Sequence, residues 1–167
     1  AYVNDKYAIV GTDDGSTEGD YVSTANLLVF DKNTGKLVDS KTGYVGDIRS
    51  NIAYENGRVY FTTKGGHFYS EVIGSDGKID AAQSKSIALG GMSTSTPVVY
   101  KSRAYVGVSG TGQFDQYSDH HIAVLDLTSC LFRPQHHGGG PVHLLHRLLR
   151  AHHGLSSDQR PGDHRLR

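Results

Sequence analysis

The chain is short of the residues that build several common kinds of site. It has no tryptophan, one cysteine (Cys130), one methionine and four prolines in 167 residues. A single cysteine excludes an internal disulfide and any zinc site built from several cysteines. No apolar run approaches the roughly 18 residues that a membrane-spanning helix needs. The formal net charge is zero, which argues against a general nucleic-acid binder or a binder of anionic membranes.

The composition changes at residue 130. Residues 1–129 hold all eight lysines and all ten tyrosines and carry a net charge of −4, whereas residues 130–167 hold seven of the ten histidines and carry +4. Three interpretations of this atypical His/Arg-rich tail stay open: a helix over 141–153, a histidine metal site, and out-of-frame translation. The loss of Lys and Tyr, together with a break in mid-repeat, favours the third. The predicted state of the tail is helical or disordered.

A turn followed by an alternating strand recurs three times in residues 1–129. The stretches are 3–12, 54–63 and 100–109. Tyr7, Val59 and Ala104 fall at matching places in them, with spacings of 52 and 45. A second element follows each, over 25–40, 66–81 and 120–129, and in the first two Gly35 and Gly77 stand where a hairpin turn needs positive φ. Alternation and β-branched residues indicate strands, and a period near 45 is the signature of a β-propeller blade.

The predicted fold class is all-β, a partial β-propeller of four-stranded antiparallel blades. Two blades and most of a third are expected, at about 1–50, 51–96 and 97–129. Known propellers close with about four to eight blades. The chain is therefore expected to need further blades or self-association to cover its open blades.

Two stretches resemble a known repeat family. "GRVYFTTKGGHFYSEVIGSDGK" (57–78) is similar to the PQQ-like (pyrroloquinoline quinone) β-propeller repeat, and "ANLLVFDKNTGK" (25–36) matches its second half. The resemblance is to propellers of secreted or surface-anchored proteins of Gram-positive bacteria. The resemblance implies a location outside the cell or at its surface. Together with loops of unequal length and the lack of a recognisable catalytic set, it predicts a non-catalytic binding or scaffold module, with no cofactor expected.

Two alternatives accompany this interpretation. One is a fragment of a quinone- and calcium-dependent dehydrogenase, whose cofactors would be pyrroloquinoline quinone and calcium. The repeated tryptophan and adjacent-cysteine disulfide of such enzymes are missing from this sequence. The other is a structural propeller of an envelope-assembly factor.

Two long loops, 12–24 and 110–121, join the same pair of strands in their blades and are expected on one face, with the short loop 64–66 between them. This face is the predicted binding surface for a protein, peptide or glycan. Its candidate residues are Asp13, Asp14, Glu18, Asp20, Asp115, Asp119 and His120. No catalytic set and no metal site is predicted.

Two clusters in these loops have alternative interpretations. The first loop's carboxylates have the chemistry of calcium ligands, but their spacing does not match an EF-hand, and a solvated acidic turn is favoured. Asp119, His120 and His121 invite a metal or acid–base role. Adjacent strand residues point to opposite faces, so His120 and His121 cannot easily share one ligand site. The favoured interpretation is that these residues only begin a strand, with one side chain facing in and the other facing out.

Overall fold

The computed structural model of the chain describes residues 1–15, 23–110 and 119–128. Within those ranges it contains eleven β-strands and no helix. The first sheet consists of β1 (Tyr2–Val3), β2 (Tyr7–Gly11), β3 (Ala25–Asp31) and β4 (Leu37–Tyr44). The middle sheet consists of β5 (Ala53–Glu55), β6 (Arg58–Thr62), β7 (His67–Ile73) and β8 (Ile79–Ala88). The third consists of β9 (Val98–Tyr100), β10 (Arg103–Val108) and β11 (His121–Asp126).

The predicted all-β class is confirmed at the level of three antiparallel sheets, whereas their arrangement as propeller blades stays a prediction. In each sheet, strands that are consecutive along the chain are neighbours. Gly35 and Gly77 have φ of 68° and 81° in the β3–β4 and β7–β8 turns, as the sequence predicts. Asn56 and Gly57, with φ of 52° and 79°, form the two-residue turn between β5 and β6, which needs positive φ at both positions.

The core lies in two layers, one on each face of the middle sheet. The layer between the first and middle sheets contains Ile9, Ala25, Leu27, Val29, Tyr44, Ile48, Ile52, Val59, Phe61 and Tyr69. The layer between the middle and third sheets contains Tyr60, Phe68, Leu89, Ala104, Val106, Val108, Ala123 and Leu125. Successive strand residues point to opposite faces, so Tyr60 and Phe61 of β6 belong to different layers. This double coverage explains why β6 is buried from Val59 to Thr62.

The linkers that connect the sheets repeat the same hydrogen bond. Ser50, in the linker after β4, accepts a bond at Oγ from the backbone N–H of Thr62 over 2.9 Å. Ser95, in the linker after β8, accepts the corresponding bond from Gly107 over 3.2 Å. Both partners lie 45 residues further along the chain than the first pair. The 45-residue spacing predicted between the second and third repeats is therefore a spacing of the folded structure.

Glycine contacts recur at the same spacing. A Cβ at Gly46 would lie 2.2 Å from the backbone nitrogen of Gly65, and a Cβ at Gly91 would lie 2.5 Å from the carbonyl carbon of Gly110. Each contact joins a linker to the connection that follows the second strand of the next sheet. Side chains are excluded at these positions because backbone meets backbone.

The predicted spacing of 52 between the first two repeats is wrong by one residue. Ile48 and Ser93 are equivalent linker residues, 45 apart. The N–H of Ile48 bonds to the carbonyl of Thr12, and the N–H of Ser93 bonds to the carbonyl of Thr63. Thr12 and Thr63 are therefore equivalent residues of the first two repeats, and they are 51 apart. With a spacing of 52, Ile9 would match Phe61, yet Ile9 faces onward to the middle sheet and Phe61 faces back to the first. A slip of one residue exchanges the two faces of a strand. The directions in which Ile9 and Phe61 face therefore fit a repeat spacing of 51 residues and not 52.

No helix in the described ranges is long and apolar enough to cross a membrane. The tail, 130–167, lies outside the described residues, and so do the interpretations that concern it. The same holds for 16–22 and 111–118, the tips of the two long loops.

Candidate functional site

The connections after β2, β6 and β10 meet the two linkers at one edge of the stack, which we call the loop face. The N–H of Lys64, after β6, bonds to the carbonyl of Asp47 in the first linker over 3.0 Å. The N–H of Ser109, after β10, bonds to Met92 in the second linker over 2.8 Å. The described ends of both long loops therefore belong to the same face as the short loop between them.

A charged cluster stands on the loop face between the first and middle sheets. Asp47 is buried, and its carboxylate lies 3.0 Å from the Arg49 guanidinium and 3.5 Å from the Lys64 ammonium. Arg49 also lies 3.0 Å from the exposed carboxylate of Asp13. Asp47 accepts a further bond, over 3.0 Å, from the backbone N–H of Asp14. The cluster thus ties the start of the first long loop to the linker.

The electrostatics of this cluster differ from those of an open acidic site. Two carboxylates, Asp13 and Asp47, stand with two cations, and Asp14 joins the cluster through its backbone N–H. The buried Asp47 anchors the cations, because a desolvated charge is costly unless it is paired. The Asp13–Arg49 pair is more than half exposed, and such a pair contributes little to stability. Arg49 can therefore exchange Asp13 for an anionic ligand group at a small cost in free energy, while Asp47 continues to hold the guanidinium.

The structure places the predicted site residues in two separate groups. Asp13 and Asp14 join the charged cluster. Asp119 and His120 lie before β11, where the His120 Nδ1 is 2.7 Å from the carbonyl of Ser109 and Asp119 has φ of 61°. The middle sheet's β6–β7 connection lies between the two groups along the stack. Glu18, Asp20 and Asp115 lie outside the described residues.

His121 has different surroundings from His120. Its Nε2 lies 3.2 Å from the carbonyl of Leu89 in the second linker, whereas the His120 side chain is exposed and faces Ser109. The two rings therefore have separate partners. Among the described residues, no group of three or more His, Cys, Asp or Glu side chains is placed to hold a metal ion.

Sequence reasoning missed a buried ionic cluster between the first two sheets. Glu71 of β7 is fully buried, and its carboxylate lies 2.7 Å from the Lys41 ammonium. The Tyr44 hydroxyl donates to Glu71 over 3.0 Å, and the Ser84 hydroxyl donates to its other oxygen. Ser84 reaches this position because β8 has a register irregularity opposite Glu71, between Ser70 and Val72. The sequence did carry one signal of this cluster, since Glu71 is a single acidic residue at a core-facing position of the strand His67–Ile73.

Burial raises the pKa of the Tyr44 phenol, and the nearby negative charge of Glu71 raises it further. Tyr44 therefore keeps its proton and remains a donor to Glu71. The adjoining cleft has a volume of about 110 Å³ and is lined by Lys41, Tyr44, Tyr69, Glu71 and Ser84 among others. Cofactor and drug-sized sites occupy roughly 300 Å³ or more, so this cleft is smaller than a site of that kind.

No protein-family model matches the chain, and no curated protein matches it.

Proposed function

We propose that the chain is a non-catalytic binding or scaffold module, formed by consecutive blades of a PQQ-like β-propeller. The observation that carries the proposal is the 45-residue repeat of the linker contacts, Ser50 with Thr62 and Ser95 with Gly107. A repeat of contacts between sheets, and not only of strands, is what stacked blades require. The PQQ-like assignment itself rests on the quoted sequence resemblance.

The loop face is the proposed binding surface. It combines rigid linkers, fixed by backbone bonds, with an exposed ion pair, Asp13 and Arg49, at the base of a long loop. Sites on loops that are held by a rigid scaffold commonly bind partners. The ligand class is a protein, peptide or glycan, and the location is the exterior or the cell surface, as the resemblance implies.

The arrangement of the described polar groups supports a non-catalytic role. Glu71 already accepts bonds from three donors, and Asp47 is held between two cations. The Ser84 hydroxyl beside Glu71 is held between that carboxylate and the Lys41 ammonium, so we assign it to pairing the buried charge rather than to nucleophilic catalysis. The proposed module therefore binds without a cofactor, and the quinone- and calcium-dependent enzyme is the rival.

The test uses printed panels of glycans and of short charged peptides, probed with the labelled 167-residue chain. A ligand at the loop face should lose roughly tenfold in affinity on Arg49→Ala, since a charge-assisted hydrogen bond is lost. The matched control is Lys32→Ala, which removes an exposed cation at the β3–β4 turn, on the opposite edge of the first sheet. Binding that is equally weakened by both variants, or no binding at all, would count against the proposal.

The rival is tested with pyrroloquinoline quinone and calcium together. Saturable quinone binding with reduction of an artificial electron acceptor would establish the enzyme and overturn the non-catalytic proposal. The proposal expects neither signal.

A further inference from the structure

The first and third sheets each have a face that points away from the middle sheet, which we call the outer faces. Cross-strand partners share a face, so the pairing registers identify their residues. The outer face of the first sheet carries Val3, Ala8, Val10, Leu28, Phe30 and Leu37. That of the third sheet carries Val98, Tyr100, Tyr105, Ile122 and Val124.

These two faces collect the exposed apolar surface of the described part of the chain. Six large apolar side chains are exposed there, and five of them lie on the outer faces: Val3, Leu37, Val98, Tyr100 and Ile122. The sixth, Tyr54, stacks on Tyr2 with ring centroids 4.8 Å apart. Apolar surface concentrated in this way on two sheet faces indicates interaction sites.

The repeat shows what each outer face is shaped to contact. Tyr60 faces the third sheet, and Tyr105, one repeat of 45 residues later, occupies the same place on the outer face of the third sheet. The outer face of the third sheet is therefore the equivalent of the surface on which the middle sheet seats its next neighbour.

The outer face of the first sheet has the complementary role. At the structural spacing of 51, Val10 corresponds to Phe61, which packs back against the preceding sheet. Val106 does the same one repeat later, against the middle sheet. The outer face of the first sheet is thus the kind that packs on a preceding sheet. The outer face of the third sheet is the kind that packs on a following sheet, so the two faces are complementary.

We propose that two copies of this chain associate head to tail, with the outer face of each third sheet packed on the outer face of the other copy's first sheet. The proposal rests on the propeller arrangement proposed above. The described part of each chain contains three sheets, so two copies make a ring of six, which lies within the four to eight blades of known propellers. A ring of three copies would have nine and lie outside it.

The contact is heterologous, and two such contacts close the ring together. Closure makes the second contact intramolecular, so the pair gains more than one isolated contact would provide. Both interfaces continue the sheet-on-sheet packing already present twice within each chain, which is why a second copy is the occupant that the faces fit.

The experiment is sedimentation and light scattering of the full chain from about 1 to 100 µM, a range set to bracket micromolar association. The expected mass is twice 18.1 kDa. Ile122→Asp on the third sheet and Leu37→Asp on the first should each weaken self-association roughly a hundredfold, because an unpaired carboxylate is buried at the contact. Both side chains are exposed in the single chain, so each variant should keep the wild-type circular dichroism. Ala81→Asp, at an exposed alanine of β8, is the matched control and should stay dimeric.

Mixing the two variants tests the head-to-tail geometry. Each alone lacks one side of every contact, whereas the mixture regains one intact contact and should form a heterodimer weaker than the wild-type dimer. If only Ile122→Asp or only Leu37→Asp abolished the dimer, the contact would be isologous and the proposal overturned. A monomer at all concentrations, or an open series of larger species, would also overturn it.

These outcomes are separable from those of the proposed function. A monomer that still binds through Arg49 overturns the assembly and leaves the binding module standing. A dimer whose panels show no Arg49-dependent ligand supports the assembly and counts against the binding function.

Discussion

The Tyr44 hydroxyl on the first sheet donates a hydrogen bond over 3.0 Å to Glu71 on the middle sheet. The bond crosses the interface between two sheets and ends on a fully buried carboxylate. Packing between these sheets is therefore coupled to the charge state of a small number of groups, and that coupling can be measured.

The first prediction concerns alkaline pH. The pKa of Tyr44 is raised in the folded state, chiefly by burial and then by Glu71. A raised pKa means that the folded state holds the proton more tightly. The resulting stability is complete below the unfolded pKa of about 10 and is lost as pH rises above it. Between pH 10 and 11 the free energy of unfolding should fall by up to about 1.4 kcal/mol through Tyr44 alone.

Urea unfolding at pH 8, 10 and 11 checks this expectation. Tyr44→Phe should be less stable at pH 8 but should decline less steeply above pH 10. Tyr100→Phe, which alters an exposed ring, is the matched control. An unchanged slope in Tyr44→Phe would show that Tyr44 does not contribute to the alkaline loss.

The second prediction concerns the Lys41–Glu71 pair. Lys41→Met leaves the buried carboxylate with only its two hydroxyl donors, so the free energy of unfolding should fall by about 2 kcal/mol. Adding Glu71→Gln removes the uncompensated charge and should recover part of that loss. Chemical denaturation of both variants measures the effect. The exposed Lys36→Met serves for comparison, and equal losses from Lys36→Met and Lys41→Met would refute an ionic role for the pair.

The third prediction concerns the serine in the first linker. Ser50→Ala leaves the buried N–H of Thr62 without its acceptor, which should cost about 1–2 kcal/mol. Ser40→Ala, at an exposed position of β4, should change stability by less than about 0.5 kcal/mol. Thermal and urea unfolding distinguish the two, and a neutral Ser50→Ala would mean that water replaces the hydroxyl.

The fourth prediction compares two glycines with similar backbone geometry. Gly46 and Gly35 have φ of 75° and 68°, but only Gly46 has backbone within 4 Å of an added Cβ. Gly35→Ala should cost about 1 kcal/mol for the left-handed conformation. Gly46→Ala should cost about 3 kcal/mol or more, because the linker must also move away from Gly65. Similar losses in the two variants would show that the linker is free to shift.

The sequence predicts local features of this fold better than it predicts which face each strand buries. Gly35 and Gly77 were assignable because hairpin turns need positive φ. The spacing between the first two repeats was misassigned because β2, Tyr7–Gly11, carries apolar residues on both faces. Period-two alternation then does not distinguish the inward side from the outward side.

The site was harder to predict, for a similar reason. Asp13 and Asp14 were identified from an acidic loop, but Asp47, Arg49 and Lys64 approach them only through a linker and a turn of the next sheet. Glu71 was missed because its partners lie 30 and 27 residues earlier, at Lys41 and Tyr44, on another sheet. Contacts at such separations depend on sheet stacking, and no local pattern encodes them.

The double coverage of the middle sheet has a consequence for how substitutions combine. Tyr60 and Phe61 are adjacent in the chain, yet one side chain contacts the third sheet and the other contacts the first. Their effects on stability should therefore add almost independently, whereas Phe61 should couple with Tyr44, whose ring centroid lies 5.1 Å away. Sequence change at neighbouring positions of β6 is thus constrained by two different partners, so this strand can change on one side without a compensating change on the other.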